Sequence, residues 1–155
     1  MTTATIHPAE VAAGIAAKTL TGITLKGPAD MVDAPLHTQL PLLQPAPHFI
    51  TNIRIERDSY GSGGVAQMTV TYDLNFRYMH SLASSAGLGG VFDALLKAVS
   101  VLYIFFAEND SIAFTGGEAV DLQIASIGEF GDVPAPNGTM CWGFDLAARV
   151  TELIN

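Results

Sequence analysis

At 155 residues and 16.3 kDa the chain has the length of one domain, enough to bury a single core without disulfide or metal staples. Hydrophobic residues make up 49% and charged residues only 14%, with a mean hydropathy of +0.35, which excludes global disorder. Seven Lys and Arg against 15 Asp and Glu leave a net charge of −8, arguing against a binder of phosphate backbones or anionic membranes. So apolar and sparsely charged a surface predicts that other subunits cover part of it.

Pro8 suits the first turn of a helix, with Thr5 or His7 as its cap. Val11 and Ile15, with Ala12 and Ala16, recur at helical spacing, and the helix is expected to end near Gly22. Ile23 to Lys26 reads as a short strand. Residues 27–49 carry Pro28, Pro35, Pro41, Pro45 and Pro47, a density that predicts an extended segment with no regular element. Its apolar anchors, among them Met31, Val32, Leu36, Leu40, Leu42 and Leu43, suit either a strap on its own domain or a docking segment.

Ile53 and Ile55 alternate with Arg54 and Glu56, and the turn DSYGSGG follows at 58–64. Met68, Val70, Tyr72, Leu74, Phe76 and Tyr78 then take the even positions and polar residues the odd ones. That period of two predicts a long strand with one apolar face, paired with the preceding one as a glycine-tipped hairpin. Residues 81–90, SLASSAGLGG, form a small-residue hinge. Val91, Phe92, Leu95, Leu96, Val99, Leu102, Tyr103 and Phe106 follow at spacings of three and four. They predict a central core helix with a wide apolar face, broken by polar residues at 107–111. Val120, Leu122 and Ile124 predict a further strand, and Met140, Trp142, Phe144, Leu146, Ala148 and Val150 a last long one. Gly128 to Gly138 reads as a turn-rich connection. The expected fold is a single α+β domain over 1–155. It has an antiparallel sheet of about four to five strands, with the central amphipathic helix and the N-terminal helix packed on one face.

The charge is uneven. Residues 1–77 hold five basic and six acidic groups, whereas residues 78–155 hold only Lys97 and Arg149 against nine acids. Such an acidic half serves solubility, or a surface past which nucleic acid slides without sticking. The N-terminus lacks the basic and apolar regions of a signal peptide. The most apolar window, 91–106, carries Asp93 and Lys97 and reads as too short and too charged to span a bilayer. A soluble protein made in the cytoplasm is the expectation.

Chemistry finds little purchase. Cys141 is the only cysteine, so no internal disulfide can form, and beside Trp142 it reads as a core or interface thiol. His7, His37, His48 and His80 lie on different elements without ligand spacing, which predicts no metal site. His80, Ser81, Ser84 and Ser85 lack the ordered elbow and acid partner of a triad. Tyr60-Gly61-Ser62-Gly63-Gly64 has a tyrosine where a nucleophile elbow needs its first glycine, and it joins two strands. Gly87-Leu88-Gly89-Gly90 precedes a helix, but the third glycine of a dinucleotide loop falls on Phe92. Glu108, Asp110, Glu118 and Asp121 cluster without the spacing of a calcium loop. The expectation is a protein that is not an enzyme, with no catalytic residue and no cofactor.

One resemblance covers roughly two-thirds of the chain. Its carriers are the strand R-I-E-R at Arg54–Arg57 with its glycine-rich tip, the strand MTVTYDLNFRY and the helix GVFDALLKAVSVLYIFF. Gly116-Gly117 and the late strand MCWGFDLAARV complete the set. This order resembles the small head–tail neck proteins of tailed bacteriophages, above all the siphophage tail terminators. The resemblance implies a structural virion protein, made in the host cytoplasm, forming a homo-oligomeric ring, usually a hexamer. Such a ring caps the tail tube protein, joins it to the head connector or stopper protein, and passes DNA without binding it, with no membrane involved. A head-completion or connector adaptor and a minor tail protein are alternatives within that setting. A small cytoplasmic enzyme or ligand-binding domain is the alternative outside it.

A ring needs two different complementary patches on each subunit. The interface candidates are Tyr60, Ser62 and Gly63 at the hairpin tip, with Arg54 and Arg57 pairing to acids across the boundary. The candidates for a channel-facing acidic lining are Asp110, Glu118 and Asp132.

Overall fold

The computed structural model of the chain describes residues 6–58, 67–113 and 119–154. Its elements in order are α1 (Pro8–Ala16), β1 (Thr24–Leu25), a short 3₁₀ turn (His37–Gln39), β2 (Leu42–Asp58), β3 (Gln67–Leu82), α2 (Leu88–Glu108), β4 (Ser111–Ala113), β5 (Ala119–Ile127), β6 (Gly131–Pro134) and β7 (Met140–Ile154). The fold is α+β, as expected. The sheet is larger than expected and mixed. Seven strands run in the order β1-β2-β3-β7-β5-β4, with β6 paired to the other end of β7, and β1 lies parallel to β2.

The period-two runs dictate the centre. On β3 the even residues Val70, Tyr72, Leu74, Phe76 and Tyr78 are buried, and on β7 Phe144, Leu146, Ala148 and Val150 face the same side. Onto that face α2 lays Val91, Leu95, Ala98, Leu102, Phe105 and Phe106. Each fully buried aromatic or aliphatic side chain there contributes about 1.5–3 kcal/mol of transfer free energy. α1 adds Val11, Ala12 and Ile15, and a Cβ on its Gly14 would touch Ile112 of β4.

Several expectations need correction. Helix α1 ends at Ala16 rather than near Gly22, whose φ of +84° places it instead in the turn closed by the Leu20–Ile23 bridge. The proline-rich segment does hold regular structure, because β2 begins at Leu42 and runs through Pro45 and Pro47. Only Leu42 and Leu43 have β1 beside them, so the prolines fall where one edge of β2 has no strand neighbour and at a register shift, the places a sheet tolerates them. The connection at 128–138 contains β6, and β4 was not foreseen; at three and four residues both are too short to show a period. The apolar window of 91–106 is part of a 21-residue helix, long and apolar enough to cross a membrane by length and composition. Six of its side chains are nonetheless packed into the core just described.

The remainder of segment 27–41 is a strap on its own domain. Gln44, itself buried, clasps the Val32 backbone with both ends of its amide, accepting from Val32 N at 2.7 Å and donating to Val32 O at 3.0 Å. Asn137 N donates to Asp33 O. Beneath the strap lies a second small core of Leu42, Met79, Val133, Ala135 and Cys141, on the sheet face away from the helices.

Two bulges interrupt β2. Ala46 to Phe49 lie outside the regular pairing between Pro45–Phe76 and Ile50–Leu74, and a second shift falls between Thr51 and Arg54. His48 (φ 56°) and Asn52 (φ 57°) take the left-handed conformation there, an uncommon state outside glycine that asparagine and histidine tolerate better than most residues. The side-chain amide of Asn75 holds the first bulge, donating to His48 O and Thr51 Oγ1, each at 2.9 Å.

Candidate interaction surfaces

A buried carboxylate marks the end of the core. Glu152 sits on β7 level with Val70 and is 3% exposed. The hydroxyl of Tyr72 donates to its Oε2, the His7 backbone N–H donates to the same oxygen at 2.8 Å, and His7 Nδ1 lies 2.8 Å from Oε1. Burial and this carboxylate push the Tyr72 hydroxyl far above its ordinary range, so it stays a donor. A carboxylate, an imidazole and a phenol look like a catalytic set, yet Tyr72 is wholly buried. The trio ties the start of α1 to the last strand, in place of a side-chain cap on the helix. The signal was in the sequence: position 152 continues the even, core-facing register of Trp142 to Val150.

The helix-free face of the sheet is polar where the strap does not cover it. Asp73, 5% exposed, accepts from Asn52 Nδ2 at 2.9 Å and from Arg149 Nε at 3.2 Å. Arg77 grips Asp145 through Nε and Nη2 at 2.7 and 2.9 Å and donates through Nη1 to Pro134 O, which holds its guanidinium charged. Between Asn52, Arg54, Glu56, Thr71 and Arg149 lies a shallow hollow of about 270 Å³.

The predicted site residues are scattered. Tyr60, Ser62, Gly63 and Glu118 lie outside the described residues. Arg54 and Arg57 are exposed on the outer half of β2, and neither has an ion-pair partner among the described residues. Asp110 and Asp132 are both exposed but are not brought together. Asp132 pairs with Trp142, while Asp110 adjoins Ser111, level with Asp121 and Thr151. Nine residues of β7 separate those levels, about 30 Å of strand. What they share is a margin. Glu108, Asp110, Asp121, Glu129 and Asp132 lie along the end of α2, β4, β5 and β6, all exposed, and no Lys or Arg occurs between Lys97 and Arg149.

The histidines stay apart. His80 Nδ1 lies 2.8 Å from the Tyr78 hydroxyl, and burial lowers its pKa. Cys141 is fully buried in the small core, which pushes its thiol pKa up and keeps it protonated.

Sequence reasoning expected apolar surface but did not locate it, placing Phe92, Leu96 and Tyr103 on the core face of the helix. α2 carries a second stripe beside its buried one: Phe92, Leu96, Val99 and Tyr103 follow at spacings of four, three and four. Val99 is partly buried, and Phe92, Leu96 and Tyr103 are 44%, 47% and 61% exposed. On the outer half of β2, Ile53 and Ile55 are 53% and 65% exposed. A wide apolar helix face and an alternating strand were both legible. Which apolar residues the chain itself covers is a tertiary property that no local pattern carries. No protein-family model matches the chain, and no curated protein matches it.

Proposed function

We propose that the chain is a structural subunit of a tailed-phage neck: a tail terminator that closes the finished tail tube as a homo-oligomeric ring, with a hexamer as the expected form. One face of the ring meets the tail tube protein and the other the head connector or stopper protein. The observation that carries the reading is the acidic margin. Five exposed carboxylates lie along the end of α2 and β4–β6 with no ion-pair partner among the described residues, within the 51 residues between Lys97 and Arg149 that hold no cation. Turned toward a bore, that margin repels passing DNA within about a Debye length, ~8 Å at physiological salt, so the duplex slides without being held. The element order fits the same reading, with a long hairpin followed by a helix and two more long strands. So does the exposed apolar area on α2 and β2, which a lone chain would leave in water.

Electron microscopy of the purified protein, alone and mixed with tail tubes, tests the reading. Rings of the tube's diameter seated on one tube end are expected. Monomers alone, with open tube ends, would overturn it. Rings that bind isolated connectors but leave tubes uncapped would move the chain to a head-completion role.

A further inference from the structure

The two exposed apolar sets lie on different elements, similar in length and complementary in charge. We infer that the outer half of β2 docks through Ile53 and Ile55 onto the Phe92–Leu96–Tyr103 stripe of α2 in a second copy of this chain, head to tail. The inference rests on the ring reading and gives it its contact.

Dimensions match first. From Phe92 to Tyr103 the stripe runs about 16 Å at 1.5 Å per helical residue, and Ile53 to Arg57 spans about 13 Å of strand. Charge matches next. α2 ends on Glu108 with no basic residue in its last turn, so the negative end of the helix dipole carries an added anion and no cation of its own. On the same face as Ile55 stands Arg57, exposed and unpaired among the described residues, whereas Arg54 turns to the polar hollow on the opposite face. A strand laid along the stripe with Arg57 toward the C-terminal end of α2 supplies that cation. Lys97, the one base on the helix, is already paired with Asp93 at 2.8 Å.

Economy of coverage decides against the symmetric alternative. Two α2 stripes packed on each other would bury the helix face but leave Ile53, Ile55 and Arg57 in water. The strand-on-helix contact covers both sets at once. Because donor and acceptor patches differ, the contact is heterologous and propagates, closing into a ring where the rotation permits. Of the acidic margin only Glu108 takes part in it, and the carboxylates of β4–β6 stay free for the bore.

Analytical ultracentrifugation of the full chain, with circular dichroism to verify folding, tests this. Ile55→Glu and Leu96→Glu are both at exposed positions, so both variants are expected to fold and to sediment as monomers where the natural chain forms its oligomer. Their equimolar mixture is expected to yield a 1:1 dimer that grows no further, since only one intact strand–helix contact remains in it. Arg57→Glu is expected to weaken assembly at least tenfold, and Glu108→Arg in the same chain to restore it.

A natural oligomer that Ile55→Glu leaves intact would overturn the inference and spare the ring reading. An oligomer broken by Leu96→Glu alone would favour helix against helix and also overturn it. A natural chain that stays monomeric and leaves tubes open would overturn both. Flotation of that monomer with phosphatidylcholine vesicles would assign the stripe to lipid instead.

Discussion

The two halves of β2 obey the same chemistry and meet opposite fates. From Leu42 to Ala46 every residue is buried, the helices lying on one side and the strap on the other. From Asn52 to Arg57 every residue is exposed, although Ile53 and Ile55 alternate with polar neighbours as cleanly as any core strand. The bulge held by Asn75 lies between them. Alternation therefore encodes a two-faced strand but not who covers its apolar face. In the inner half the chain does so itself; in the outer half the described chain leaves that face exposed. Substitutions in the two halves should accordingly be read out by different measurements.

The largest effect belongs to the ladder that backs the packed half, at Gly143 of β7, whose partner Met79 is itself paired with Leu42. A Cβ on Gly143 would run into the Tyr78 carbonyl oxygen, an atom of the neighbouring strand's backbone that cannot rotate away. Gly143→Ala is expected to cost about 3 kcal/mol or more, at the upper end of overpacking penalties, in chemical denaturation. A cost below about 1 kcal/mol would show that the β3–β7 ladder yields there, and the contrast between a rigid half and a free one would fail.

Next comes the tie at the far end of the core. Glu152→Leu removes the acceptor for the Tyr72 hydroxyl and the His7 backbone N–H together, leaving a wholly buried hydroxyl unpaired. The expected loss is about 2–3 kcal/mol, with Glu152→Gln, which keeps an acceptor oxygen, losing about 1 kcal/mol. Hydrogen exchange should show the loss concentrated in α1. If exchange there is unchanged, the carboxylate does not anchor the helix.

How much of this the sequence disclosed follows from the range of each signal. The even-numbered runs on β3 and β7 and the helix between them were legible because their periods extend over more than ten residues. The short strands β4 and β6 were not, and the inner half of β2 was hidden by Pro45 and Pro47, which local rules exclude from a strand interior but an open edge accepts. Of the candidate surface, the acidic bias of the second half was plain in the charge count, as were Arg54 and Arg57. Glu152 could have been found by carrying the even register two residues past Val150. The exposed stripe of α2 could not, since Phe92 and Leu95 differ only in what the sheet happens to reach.

A smaller effect is expected at the boundary. Asn75→Ala withdraws the amide that holds the bulge carbonyl of His48 and the hydroxyl of Thr51, groups close enough to the surface for water to replace it in part. About 1 kcal/mol of stability should be lost. If the bulge sets the course of the outer half, oligomer formation should weaken more than this loss of folding stability alone accounts for.

The smallest effect on folding, and the most telling, lies in the outer half itself. Ile53→Ser and Ile55→Ser remove methyl groups that already face water, so the transfer term that makes such changes costly in a core is mostly absent. Serine has a lower strand propensity than isoleucine, a difference within about 1 kcal/mol and smaller at an edge. Under conditions that keep the chain monomeric, each substitution is expected to change unfolding free energy by less than about 0.5 kcal/mol. A loss of 2 kcal/mol in the monomer would mean that the isoleucines pack on their own chain, and the two halves of β2 would no longer differ in kind. An unchanged monomer with a lost oligomer would place their apolar surface in the service of a neighbour, where its exposure in the single chain has a physical reason.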